Sequence, residues 1–282
     1  GRGTCDMKGA IAATIVAAAS IGKEELRRLK KPLWAAFTFQ EEVGCHGAKL
    51  LDAVHPLPVE HVIIGEPTGL RPVTRHKGYM IGRVTVTGVP CHSSDPTQGA
   101  SALHGAARAV DVLLGLAEGW RATETPGFEP PWPSLNVGLL EAGTARNVVP
   151  DRASFTVEMR PMPGQEPADL FAAVEGAVAA AVASVPGSQP LGWSLERVET
   201  NEPLGTADDA ALVAWLVENT GQQPGSVPFY TEAAILARKG ATSCVCGPGE
   251  IAQAHRVDEW VELDALEAAA QLYRRAIEQF CR

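Results

Sequence analysis

The hydrophobic pattern of this chain changes period twice, and that change restricts its possible folds more than any other feature. Residues 7–21 are apolar nearly all round, which predicts a buried helix with Asp6 at its N-cap. Residues 32–39 and 62–64 are apolar runs that predict buried strands, with a short helix over 44–54 between them. Strands and helices alternating in this way predict a parallel sheet with helices on its faces.

From residue 81 the pattern becomes two-residue. Residues 81–87 alternate polar and apolar, and residues 153–160 place Phe155, Val157 and Met159 on one face. Helices are predicted over 101–116 and 167–185, with further strands over 135–140 and 191–198. The order is β-α-β-β-α-β, the ferredoxin-like arrangement. The first style then returns. A helix over 207–219 and a strand over 242–246 precede a last helix with Leu263, Leu266, Ala270, Tyr273, Ile277 and Phe280 in one apolar stripe. The expected organisation is α/β: one domain from residues 1–73 and 201–282, with a second inserted over 74–200.

With 282 residues, 45% hydrophobic and 20% charged, the chain can bury a substantial core. Its net charge of -9 argues against nucleic acid and anionic membrane as partners. Its apolar runs are short or interrupted, so no membrane-crossing helix is expected. The six cysteines form no C-x-x-C pair and read as reduced thiols, which favours a cytoplasmic location.

Four acidic or histidine features fall in loops after strand ends, where α/β domains place function. They are Asp6, Glu41-Glu42, Glu66 and His255. Carboxylates and imidazole are ligands for zinc or cobalt, and a carboxylate can bridge two cations. Adjacent glutamates in extended backbone point apart, so one can ligate while the other acts as general base. Singly, each has a plainer reading: Asp6 as a helix cap, Glu41-Glu42 as a solvated pair, Glu66 as a turn former, His255 as a surface residue.

The surrounding residues make the combination specific. Gly1 to Gly9 (GRGTCDMKG) resembles the GRGxxDMKG motif of the co-catalytic zinc peptidases and deacylases. Glu41-Glu42-Val43-Gly44, Gly65-Glu66-Pro67-Thr68, the GVPCHSSDP segment over 88–96, and Asn147-Val148-Val149-Pro150 with Arg160 resemble further motifs of that family, in its order. The resemblance implies a metallopeptidase-like catalytic domain with a mixed sheet, carrying an inserted ferredoxin-like lid and dimerisation domain. It implies two Zn2+ or Co2+ ions: Asp6 bridging, Glu42 and His255 on one metal, Glu66 on the other. Glu41 would be the general base. His92 would stabilise the oxyanion from the partner subunit of a homodimer. Asn147, Arg160 and Thr231 would contact the substrate. Arg2 and Lys8 read as local charges. His46, His55, His61, His76 and His104 match no ligand position, and Cys91 diverges from His92.

Within the family, His92-Ser93-Ser94-Asp95-Pro96, Tyr230-Thr231-Glu232-Ala233, and the segment from Gly247-Pro248-Gly249 to His255 and Asp258-Glu259 resemble the acetylornithine deacetylase branch. That implies hydrolysis of N-acetyl-L-ornithine. The alternatives are succinyl-diaminopimelate or another N-acyl amino acid as substrate, and, in a different class, a non-catalytic dimerising binding module. One departure stands out. The family's upstream H-x-D ligand motif has no counterpart here, since none of the seven histidines is followed two residues later by Asp. The expectation is that this motif and the first strands precede Gly1, and that the chain as given is weak or inactive.

Overall fold

The computed structural model describes residues 1–187 and 189–282. Its elements are α1 Gly9–Ile21, α2 Lys23–Leu26, α3 His46–Val54, β1 His61–Pro67, β2 Val73–His76, β3 Tyr79–Thr87, α4 Ala102–Trp120, β4 Ser134–Ala142 and β5 Arg152–Arg160. There follow α5 Pro167–Ala183, β6 Gly192–Asn201, β7 Leu204–Gly205, α6 Ala211–Thr220, β8 Gly225–Val227, α7 Ala233–Ala237, β9 Thr242–Gly247 and α8 Leu263–Cys281. They form two compact units, one from residues 1–76, 204–227 and 231–282, the other from residues 77–203 and 228–230.

The second unit is an antiparallel sheet in the order β6-β3-β5-β4. Its pairing is long: β3 and β5 stay in register from Met80 opposite Met159 to Thr87 opposite Arg152. Alternate residues of these strands (Met80, Val84 and Val86; Ala153, Phe155, Val157 and Met159) are all but inaccessible and pack with α4 and α5. Period-two apolarity produces this arrangement, because one face of each strand is buried against helices. Ser101 caps α4 by accepting from His104 N–H. This is the expected ferredoxin-like arrangement.

The first unit holds a mixed sheet, not the parallel one that the alternation of strands and helices predicts, because β2 pairs antiparallel with β7 and β9. β1 runs parallel to β9, and β2 links β9 to β7 and β8. Five successive residues of β9, Ser243 to Gly247, are buried, so both faces of that strand are covered. α1 and α8 pack through Ala13, Ala17, Ile21, Ala269, Tyr273 and Ile277. Leu212 and Leu216 of α6 pack with Cys244, Cys246 and Leu272.

Several expectations for this unit need correction. Residues 32–39 form no strand, because no neighbouring strand satisfies their backbone. They leave Leu33 37%, Trp34 50%, Phe37 56% and Phe39 55% exposed. A largely apolar cavity of about 250 Å³ is lined by this stretch together with α1 and β1. The first helix is not buried all round: Ile15 and Val16 are more than half exposed. Thr4–Ile21 is also long and apolar enough to cross a membrane; here one side of it packs on α8.

Candidate metal centre

Three loops of the first unit deliver the candidate ligands. Asp6 lies in the irregular turn Thr4–Lys8, in extended backbone (φ -117°, ψ 93°), and the Asp6–Met7 peptide is cis. It is not an N-cap: α1 starts at Gly9 without a side-chain cap, and the Asp6 carboxylate turns to His255 instead. Glu41–Val43 is a 3-10 turn rather than extended backbone, entered through Gln40 in left-handed conformation. The two glutamates still diverge. Glu42 reaches His255, whereas Glu41 stands beside Cys45 and feels the charge of Glu232. His255 itself has φ +57°, a conformation uncommon for a non-glycine residue and concentrated at functional sites.

Asp6, Glu42 and His255 each offer a ligand atom, and these atoms lie within 4.8 Å of one another. His255 Nε2 is 2.9 Å from Glu42 Oε1 and 3.2 Å from Asp6 Oδ2. Two ligands on a tetrahedral zinc, each at about 2.0–2.1 Å, stand roughly 3.3 Å apart. The donor types and spacing therefore fit a divalent cation. Arg2 also approaches Glu42, at 3.5 Å.

Glu66 is buried at the end of β1 and shares a hydrogen bond with Asp6. Gly65 permits this approach, since a Cβ there would stand 2.7 Å from the Cβ of Ala10 in α1. Burial, and then neighbouring negative charge, raise the Asp6 and Glu66 carboxyls above the usual range. Burial and then Glu232 raise Glu41 to about 7. Burial raises Glu232 as well, against the Thr38 hydroxyl that donates to it at 2.6 Å. Crowded, partly desolvated carboxylates of this kind are relieved by protons or by cations. Glu232 belongs to the Tyr230-Thr231-Glu232-Ala233 segment, where a single loop acid has no periodic signature to mark it.

The remaining candidates lie elsewhere. Thr231 is buried in the first unit, and its hydroxyl accepts from Ala233 N–H at the start of α7. His92, Asn147 and Arg160 belong to the second unit. His92 bridges to Val148, and Ser93 N–H donates to Asn147 O, so those two loops are joined. Ser94 N–H donates to His92 Nδ1 at 3.1 Å. Ser94 Oγ lies 2.8 Å from the same nitrogen, and in the tautomer that accepts from both groups the ring N–H is on Nε2. Arg160 bonds Glu158 at 2.8 Å and lies 4.3 Å over the Tyr79 ring.

A mixed-sheet unit holding a carboxylate-histidine cluster, together with a separate ferredoxin-like unit, describes a metal-dependent hydrolase. The model of peptidase family M20/M25/M40 matches residues 1–279. An acetylornithine deacetylase from Myxococcus xanthus is 38% identical over 99% of this chain and 72% of its own length. One from Edwardsiella ictaluri is 33% identical over all of this chain and 72% of its own length. Among solved structures, the aminopeptidase PepT of Bacillus cereus shares the fold with TM-score 0.75 at 20% identity, over 98% of this chain and 71% of that one. An M20 family metallo-carboxypeptidase from Sulfolobus solfataricus does so with TM-score 0.67 at 18% identity, over 99% and 76%. This chain belongs to peptidase family M20/M25/M40. It is a metallo-amidohydrolase of that family.

Proposed function

We propose that this chain hydrolyses the amide of an N-acyl amino acid, with N-acetyl-L-ornithine as substrate and L-ornithine and acetate as products, a step of arginine biosynthesis. The observation that carries the reading is the convergence of Asp6, Glu42 and His255 beside Glu41. The likeness to two acetylornithine deacetylases supports the choice of substrate. Asp6 would bridge two divalent cations, zinc or cobalt, with Glu42 and His255 holding one and Glu66 the other. Cations held there polarise the amide carbonyl and make water a better nucleophile at neutral pH.

Glu41 takes the proton of the attacking water and returns it to the leaving nitrogen. A carboxyl raised to about 7 suits both roles. His92 donates from Nε2 to the oxyanion of the tetrahedral intermediate, contributed by the partner copy of a homodimer. The edge position of β4, with Leu139 and Leu140 exposed, supports such pairing through the second unit. Asn147 and Arg160 bind the carboxylate and carbonyl of the substrate, an arrangement suited to a guanidinium fork, and Thr231 orders a further contacting loop. A cytoplasmic location is part of this reading, supported by six free cysteines.

The test compares hydrolysis of N-acetyl-L-ornithine with that of N-succinyl-diaminopimelate, with zinc or cobalt added. Preference for the acetyl substrate by at least tenfold supports the assignment. Preference for the succinyl substrate moves the chain to another branch of the family. Failure to bind metal or to cleave either substrate, both in this chain and in the chain extended by a segment carrying the family's H-x-D motif, overturns the catalytic reading in favour of a binding module.

A further inference from the structure

Glu259 touches none of the candidate ligand side chains, yet it joins the two loops that carry Asp6 and His255. Its side chain is 2% exposed. Oε1 accepts from Cys5 N–H at 2.8 Å and from Asp6 N–H at 2.9 Å, and Oε2 accepts from Gly3 N–H at 3.1 Å. Three backbone donors of one short loop therefore converge on one carboxylate. The left-handed conformation of Gly3 (φ +79°) turns these donors inward, forming an anion-binding nest. The nest holds the Glu259 carboxyl down at about 2.

The segment bearing Glu259 is itself bent into place. His255 and Asp258 both have positive φ, +57° and +59°, and such backbone persists only where surrounding contacts enforce it. Close packing adds a second restraint: a Cβ on Gly249, in the turn before this segment, would stand 2.5 Å from Cys5 Sγ. Asp6 is thus fixed through its own N–H to a residue four positions beyond His255. Asp6 Oδ2 and His255 Nε2 lie 3.2 Å apart in the two loops so joined.

We propose that Glu259 is a positioning residue that sets the register between the Asp6 and His255 loops and so controls cation affinity without contacting the cation. The inference rests on the reading of Asp6, Glu42 and His255 as cation ligands. Residues that orient metal ligands through hydrogen bonds commonly change affinity by about 10–100-fold when altered.

The experiment measures zinc dissociation constants of the full chain by competition with a chromophoric chelator. It also records the visible spectrum of the cobalt-loaded protein and the apo melting temperature. The variants are Glu259→Ala, Glu259→Gln and, as reference, Asp6→Ala. Glu259→Ala is expected to weaken zinc binding by about 10–100-fold and to shift the cobalt spectrum. The near-isosteric Glu259→Gln keeps acceptors for only part of the nest and should weaken binding by about tenfold; it carries the test if Glu259→Ala fails to fold. Zinc affinity within twofold of the parent in Glu259→Gln overturns the proposal, even where the melting temperature drops. If Asp6→Ala loses zinc while both Glu259 variants retain it, only the positioning role falls. If Asp6→Ala binds zinc as tightly as the parent, the ligand reading itself is wrong and the proposal goes with it.

Discussion

The two units of this chain solve the burial problem in opposite ways. The second joins four strands by long registers and closes one face with α4 and α5, over a core of Ala, Val, Leu, Met and Phe. The first builds its sheet from strands of two to seven residues. It leaves residues 32–39 without strand partners and gathers carboxylates at loop ends. The second unit buries the inner faces of β3 and β5 almost completely. The first accepts like-charge crowding and left-handed backbone at His255, features that cost stability and cluster at functional sites. The candidate metal ligands are therefore gathered in the first unit, while His92, Asn147 and Arg160 are carried by the second.

The sharpest way to break this contrast is a substitution that removes chemistry and spares the fold. Glu41→Gln should lower kcat by about 10²–10⁴-fold, with zinc still bound as judged by metal analysis. Its urea midpoint should stay level or rise slightly, because one carboxyl leaves a crowded cluster. A parallel loss of stability would show that Glu41 supports the fold. The reverse experiment is Phe155→Ala in the second unit. Phe155 is 1% exposed in the core, and removing such a ring costs about 3–5 kcal/mol, measured by urea unfolding. Zinc affinity should be unchanged in the folded fraction.

Hydrogen exchange offers a gentler comparison. Among the described residues, no amide from Leu33 to Phe39 donates a backbone hydrogen bond, whereas β3 and β5 are paired along their lengths. Exchange in residues 33–39 should be at least about 10³-fold faster than in β3, read by mass spectrometry at peptide resolution. Protection equal to that of β3 would mean that this stretch is paired in solution.

The same contrast explains what the sequence disclosed. The second unit was legible because half-buried antiparallel strands impose a two-residue period, visible in Phe155, Val157 and Met159. In the first unit, β2, β7 and β8 are two to four residues long, too short to display any period, and none was anticipated. Residues 32–39 were misread because an apolar run reports a wish for burial, while strand formation also needs a partner that local sequence cannot specify. The candidate ligands Asp6, Glu42 and His255 stand out through motif resemblance, since singly each has an ordinary structural role. Glu232 and Glu259 lie in segments quoted for that resemblance, yet their roles emerged only from spatial neighbours: Thr38 and Glu41 for one, the Gly3–Cys5–Asp6 amides for the other.

The smallest expected effect concerns acid sensitivity in the first unit. There β1 begins with His61 against the Phe280 ring, centroids 4.6 Å apart. Its Nδ1 is buried without a hydrogen-bond partner. Burial lowers the His61 pKa; Glu60 opposes this and Lys31 reinforces it. A histidine whose folded pKa lies below its unfolded value of about 6.5 favours the neutral ring in the fold. Its contribution is fully present above about pH 6.5. It falls as pH drops below that value, because the unfolded chain takes up the proton first. His61→Gln should remove this dependence. The stability difference between parent and variant should be constant above pH 7 and should shift against the parent between about pH 6.5 and 5.5, measured by urea unfolding at fixed ionic strength. A difference that stays constant across that range would mean His61 protonates as readily in the fold as in the open chain, and that the start of β1 is more open to water than its contacts with Phe280 imply.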